Sequence, residues 1–167
     1  MKRRCFFVWW TLFLATPSLA STGEVTYVFD GDTIEVDHQA VRLIGINTPE
    51  IARKKYGTKD ECYGLESKAY LESRVLGKKV KLKSDPQVDK KDKYGRTLAY
   101  VYLRGRLINK ELVQQGEALF YPFFPFSKRA EFLRDQETAK AQQRGLWRAC
   151  EVHCRGPYCK IEFKKSI

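Results

Sequence analysis

Over much of the first half of the chain, apolar and polar positions alternate with a period of two, which predicts strands. Ile34 and Val36 alternate with Thr33, Glu35 and Asp37. A strand over residues 25–29 precedes them, joined across Asp30-Gly31-Asp32, a tight-turn signal. Residues 41–46 form a third strand, apolar at Val41, Leu43, Ile44 and Ile46 as a doubly buried strand should be, with Arg42 set into it. It ends at Asn47-Thr48-Pro49-Glu50, where Pro49 cannot donate to a ladder and holds Thr48 extended. From residue 64 to 76 the pattern turns helical: Leu65, Ala69 and Leu76 line one stripe, and Gly77 terminates it. Val80 and Leu82 alternate with Lys79, Lys81 and Lys83 in a fourth strand, and residues 97–103 supply a fifth. Asn109 is placed to cap a short helix that carries Leu112 and Val113 and is closed by Gly116. Ser127 is placed to cap a last helix over residues 128–144, after which Gly145 stops the chain and Trp147 anchors it.

Three loops lie between these elements. Residues 52–63 carry Arg53, Lys54, Lys55 and Lys59, either a solvated loop or a substrate-facing rim. Residues 85–96 are charged and flexible-looking and deliver Tyr94-Gly95-Arg96 to the fifth strand. Phe120, Tyr121, Phe123, Phe124 and Phe126 read more readily as core and wall than as a base-stacking platform. Three strands, a helix, two strands and then helices give an α+β chain. The order suits an OB-fold five-stranded β-barrel with three helices, an architecture that binds oligonucleotides on one face.

The chain ends modify this picture. Lys2-Arg3-Arg4, an apolar run from Cys5 to Ala15 and Ser18-Leu19-Ala20 have the layout of an export signal cut after Ala20; a retained anchor is the alternative. The domains are then 1–20 signal, 21–149 barrel domain and 150–167 a Cys-containing tail, with a secreted or periplasmic destination. The formal charge is +11, and removing a signal with three basic and no acidic residues leaves +8. A surplus of this size favours a polyanionic partner, nucleic acid or an anionic surface. Cys62, Cys150, Cys154 and Cys159 remain, an even set suited to two disulfides in an oxidising compartment. The spacing around His153 lacks the paired Cys-x-x-Cys knuckles of zinc modules. Three pairings are possible; Cys154 with Cys159 around Gly156-Pro157, leaving Cys62 for Cys150, is the one carried forward.

The end of the third strand concentrates chemistry. A guanidinium (Arg42), an amide (Asn47), a hydroxyl (Thr48) and a carboxylate (Glu50) leave it within a few residues, the groups needed to hold a phosphate and a hard cation and to deprotonate water. A structural Arg42–Glu50 ion pair would explain the same residues. The wider set decides more. Asp30-Gly31-Asp32-Thr33, Arg42 with Asn47-Thr48-Pro49-Glu50, Tyr63-Gly64, Asp92-Lys93-Tyr94-Gly95-Arg96 with Leu98-Ala99-Tyr100, and Asn109 with Leu112-Val113 and Gly116 resemble the staphylococcal nuclease (thermonuclease) family from about residue 25 to 147.

The resemblance implies an OB barrel with three helices and calcium-dependent hydrolysis of DNA and RNA to 3′-phosphate products. By resemblance Asp32 is a carboxylate ligand to calcium. Asn47 stands where a second aspartate is usual, and Thr48 offers a backbone carbonyl. Arg42 and Arg96 match the phosphate-binding arginines and Glu50 the general base. Lys93, Tyr94 and Tyr121 fall on the substrate side, Tyr121 one position before Pro122, where the family's aromatic residue aligns. The expected partners are single-stranded or frayed DNA and RNA, bound by a monomer with no stable membrane association once the signal is cut. Two other classes fit part of the sequence: an OB module that binds nucleic acid without cleaving it, and an exported basic protein that binds anionic surface polymer. Arg42, Glu50 and Arg96 together speak against the first, and the acidic turn against the second.

Overall fold

The structure is a computed structural model, and it describes residues 21–52, 59–156 and 158–164. The expected export signal and the basic run Arg53-Lys54-Lys55 therefore lie outside the described residues. The barrel strands are β1 (Ser21–Asp30), β2 (Thr33–Val36), β3 (Gln39–Leu43), β5 (Lys79–Lys83) and β6 (Thr97–Leu103), with a short β4 (Ile46–Asn47) between β3 and β5 and a short β7 (Arg106–Leu107) paired to β6. β1 pairs antiparallel with β2 and β5, β2 with β3, and β5 with β6. A parallel pairing of β3 with β6 closes the ring, with Val41 opposite Thr97, Arg42 opposite Leu98 and Leu43 opposite Ala99. The result is a closed five-stranded barrel of OB type with helices packed outside it, as the element order implies. One core joins Val25, Val28, Ile34, Val41, Leu43, Ile46 and Val101 of the barrel to the helix residues Leu71, Ile108, Leu112 and Phe132 packed against it. Burying a side chain of this size contributes about 1.5–3 kcal/mol.

Four expectations need correction. The third strand does not run unbroken through residue 46. At Gly45 the chain takes φ +79°, and a Cβ there would lie 2.6 Å from the Phe126 ring, so only glycine fits. Past the break, Ile46 and Asn47 pair with Phe120 and Leu119 of β8 (Leu119–Phe120). Helix α1 (Gly64–Val75) buries Gly64, Ser67, Leu71 and Val75, not the stripe of Leu65, Ala69 and Leu76; Leu65 and Leu76 are exposed. The apolar residues chosen by spacing alone lay one position off the buried face.

Asn109 is not a cap. It lies inside α2 (Ile108–Gln115), fully buried, where its Oδ1 accepts from Val101 N–H at 2.9 Å and its Nδ2 donates to the carbonyls of Ile44 (3.0 Å) and Ala99 (3.2 Å). It thus satisfies backbone groups where β3 leaves β6. Ser127 likewise does not cap α3 (Arg129–Ala141); its hydroxyl donates to Asp85 at 2.9 Å, and the helix is shorter than the expected 128–144.

After α4 (Leu146–Ala149), the tail is a hairpin of β9 (Glu151–Arg155) and β10 (Tyr158–Glu162). Cys62 is bonded to Cys150 and Cys154 to Cys159. The first bridge spans 88 residues of sequence and ties the approach to α1 to the base of the hairpin. Bridges of this kind stabilise by about 2–4 kcal/mol. Around it Leu119, Ala139, Leu146 and Trp147 form a second small core.

Candidate active site

Two arginines from different elements line one groove of about 680 Å³, together with Lys93, Tyr94, Tyr121 and Phe124. Arg42 arrives on β3. It is paired with Asp32 at 2.8 Å, and it also donates to the Leu43 carbonyl at 2.8 Å and to Asn47 Oδ1 at 3.2 Å. Asp32 is buried in the β1–β2 turn, where its Oδ2 accepts Thr48 N–H at 3.0 Å and its Oδ1 the Thr33 hydroxyl at 3.0 Å. Its own N–H donates to Asp30 at 3.2 Å. Arg42, Asp32, Asn47 and Thr48 are thereby one network, not separate surface groups. The Arg42–Glu50 pair offered as the plainer explanation is replaced by Arg42–Asp32.

Burial pushes the Asp32 carboxyl up to about 6, Asp30 adds to the rise, and Arg42 and the Thr48 N–H only partly oppose it. A single guanidinium therefore does not offset this buried charge. Calcium takes oxygen donors in flexible geometry. Asp32 offers a carboxylate, Asn47 an amide oxygen and Thr48 a carbonyl, in surroundings that would gain from more positive charge. These are oxygens of the chemical type calcium takes, neutral ones in the majority; here Asn47 Oδ1 accepts from Arg42 and the Thr48 carbonyl accepts from Asn47 Nδ2 at 3.3 Å. Among the described residues no cluster of three or more His, Cys, Asp or Glu is placed to hold a metal.

Arg96 comes from the loop before β6. Its Nε is paired with Asp92 at 2.7 Å, and Asp92 Oδ1 also accepts the backbone N–H of Tyr94 at 2.9 Å and of Arg96 at 3.0 Å. Burial raises the Asp92 carboxyl, but these bonds from Arg96 and the backbone outweigh it and hold it below the usual range. Arg96 also reaches the Thr33 hydroxyl at 3.4 Å, which links the loop to the β1–β2 turn. The loop expected to be flexible is pinned at its other end too. Asp85 is buried and accepts from Tyr100 at 2.6 Å, Gln87 N–H at 2.8 Å and Ser127 N–H at 2.7 Å. Tyr94 is exposed, with Lys93 and Arg96 over its ring at 5.0 and 5.5 Å.

Glu50 is exposed beyond β4. Its N–H donates to the Glu61 carboxylate and its carbonyl accepts Glu61 N–H, both at 2.9 Å. The start of α1 presses against this point: a Cβ on Gly64 would lie 2.9 Å from the Glu50 carbonyl oxygen. Asp92, Glu61, Gly64 and Thr33 thus position groups that the sequence reading named without their supports. Asp92 was legible. An Asp two residues before a backbone N–H it accepts is an Asx turn, and Gly95 completes it at φ +81°.

The family described as staphylococcal nuclease homologue matches residues 40–149. The chain belongs to the staphylococcal nuclease family. It is 37% identical over 140 residues to the thermonuclease of Staphylococcus hyicus, covering 77% of this chain and 79% of that one. It is 36% identical over 126 residues to the thermonuclease of Staphylococcus intermedius, covering 73% and 72%. A match of 35% over 124 residues to the SPbeta prophage-derived endonuclease YokF of Bacillus subtilis (strain 168) covers 71% of this chain and 41% of that one. The family match contains Arg42, Asn47, Thr48, Glu50, Lys93, Tyr94, Arg96 and Tyr121; Asp32 precedes it, and the hairpin β9–β10 follows it.

Proposed function

We propose that the protein is an exported, monomeric, calcium-dependent nuclease that hydrolyses DNA and RNA phosphodiesters with little base preference. One observation carries this reading: Arg42 and Arg96 converge from separate elements on one groove, each held by an aspartate that a phosphate could replace. The named activities of the thermonuclease and endonuclease relatives support it.

A phosphodiester anion repels the nucleophile, so its charge is neutralised first. Arg42 and Arg96 transfer from Asp32 and Asp92 onto the non-bridging oxygens, and bind more strongly as charge builds in the five-coordinate transition state. Glu50 takes the proton of the in-line water. Arg96 assists the leaving 5′ oxygen, so that the product keeps a 3′ phosphate. Asp32, Asn47 and Thr48 would hold calcium, which would supply further neutralisation of the phosphate when bound. The contacts in this mechanism are to phosphate rather than to base edges, so affinity comes from the backbone and falls with salt, and unpaired or frayed strands enter most easily.

The deciding experiment is hydrolysis of single-stranded DNA with calcium, with and without chelator. Cleavage abolished by chelation is expected. Binding without cleavage under any metal would make the protein a non-catalytic OB module instead.

A further inference from the structure

The aromatic run from 120 to 126 divides in the fold. Phe120 and Phe126 are core, whereas Phe123 and Phe124 are 59% and 63% exposed. Tyr158, on β10 outside the family match, is 51% exposed. These rings are not scattered. Phe124 lies 5.8 Å from Tyr121, Tyr121 5.0 Å from Phe123, and Phe123 5.0 Å from Tyr158, between ring centres. They make one continuous surface from the groove, which Tyr121 and Phe124 line, to the tip of the hairpin. Three of these touching rings remain over half exposed around a partly buried Tyr121, too little burial for a core, and a contiguous apolar patch of this kind marks a binding site.

The mounting of the rings is firm. Arg129 donates to the carbonyls of Pro122 at 2.7 Å and Phe124 at 3.4 Å, which fixes the loop that carries three of them. The Cys154–Cys159 bridge sits beside Tyr158 and holds the hairpin tip, and Cys62–Cys150 holds its base. Arg155 is exposed and lies directly across from Tyr158 in the hairpin register. The surface therefore has cations at both ends, Arg42 and Arg96 in the groove and Arg155 at the tip. Charge and shape together select the occupant. Planar rings alternating with anions, continuous with a phosphate-binding groove, are what a single-stranded nucleic acid presents. The spacing leaves no gap for a base between neighbouring rings, so bases lie across their outer faces.

We infer that Phe124, Tyr121, Phe123 and Tyr158 form a stacking track for the nucleotides flanking the reacting phosphate, with Arg155 receiving a phosphate at its far end. The track rests on the nuclease reading and extends it: it makes long single strands better substrates than short ones. It also gives the C-terminal hairpin a role in substrate length preference.

The test compares two substrates for the full mature protein with calcium: a single-stranded oligonucleotide long enough for an OB-type groove, about 12 nucleotides, and a dinucleotide that reaches only the groove. Tyr158→Ala and Phe123→Ala should each raise KM for the long substrate about fivefold or more, the loss of one stacked base. Turnover, and all kinetics on the dinucleotide, should be unchanged, and Tyr158→Trp should restore the long-substrate KM. Replacing both Cys154 and Cys159 by Ser should shift KM in the same direction as Tyr158→Ala. An unchanged KM on the long substrate, or equal losses on both substrates, overturns the track. So does an unchanged oligonucleotide KM accompanied by lost binding to anionic vesicles, which would assign the patch to a lipid surface. If the wild type cleaves neither substrate, the nuclease reading fails; the track is then judged by whether Tyr158→Ala weakens equilibrium binding of the same oligonucleotide.

Discussion

The two arginines of the groove are held in opposite ways. Arg42 belongs to the barrel: its partner Asp32 is buried, and the Thr48 N–H and the Leu43 carbonyl lock the pair into strand backbone. Arg96 belongs to a loop, and its partner Asp92 is fixed by the loop's own turn through the N–H groups of Tyr94 and Arg96. Releasing Arg96 to a phosphate leaves Asp92 with its backbone donors. Releasing Arg42 leaves a buried carboxylate beside Asp30, which must find another cation. In the proposed mechanism the barrel half is therefore the half that would couple substrate binding to metal, while the loop half would supply a cation without that requirement. Both are preorganised, but only one of them by burial.

The largest effect expected in the barrel half is at Glu50. Glu50→Gln should lower turnover by ~10²–10⁴, as loss of a general base does, with the melting temperature unchanged. A turnover within a few-fold of wild type would remove Glu50 from the chemistry. Next is Asn109, which joins the end of β3 to β6. Asn109→Ala leaves the Val101 N–H and the Ile44 carbonyl without this partner, while the Ala99 carbonyl keeps the Ile44 N–H at 3.0 Å. At about 1–3 kcal/mol per buried group left unsatisfied, denaturant unfolding should show a loss of roughly 2 kcal/mol or more. A loss under 1 kcal/mol would mean that the barrel half does not depend on this staple.

The same half is backed by Ser67, which would touch a Cβ on Gly31 and whose hydroxyl donates to the Glu117 carbonyl. Burial, with Glu66 adding, pushes the Glu117 carboxyl from 4.5 up to about 7, against the opposing bond from Tyr63. Below pH 4.5 both folded and unfolded chains are protonated here, and nothing is lost. As pH rises to 7 the unfolded chain ionises first, so stability falls, and above 7 the loss is complete. Glu117→Gln should therefore match wild type at pH 4 and exceed it at pH 8 by roughly 3 kcal/mol. Equal stability at both pH values would place Glu117 in solvent. The smallest expected effect is at Asn47. Asn47→Asp adds a charged oxygen where Asn47 now faces Arg42, and should tighten calcium binding to free protein about tenfold in calorimetry. No tightening would separate Asn47 from the metal.

Much of this was legible in the sequence, and unevenly. The period-two strands, the Asp-Gly turn and the element order gave the barrel, because alternation reports directly which face is buried. The helices were less legible. In α1 a small polar residue, Ser67, and a glycine sit on the buried face, while Leu65 points to solvent, so apolar spacing chose the wrong stripe. Asn109 and Ser127 have the right residue types for caps, but tertiary partners claimed them: three backbone groups in one case and Asp85 in the other. The chemical groups Asp32, Arg42, Asn47, Thr48, Glu50 and Arg96 were named from motif. Among their supports Asp92 was legible as an Asx turn, but Glu61 was not, because it bonds to the Glu50 backbone and a backbone bond leaves no mark in residue type. The aromatic run reads as one unit in the sequence, yet Phe120 packs on Phe126 and Phe126 on Phe132 in the core, while Phe123 and Phe124 stay exposed.

The most direct measurement is turnover of single-stranded DNA with saturating calcium for wild type, Arg42→Ala and Arg96→Ala, each with its denaturant midpoint. Two arginines acting on one phosphate predict a loss of ~10²–10³ in turnover for either variant. Being held by burial and by a turn respectively, they also predict a stability change of about 1–3 kcal/mol for Arg42→Ala alone. Near-wild-type turnover in either variant, or equal stability effects in both, would contradict the account.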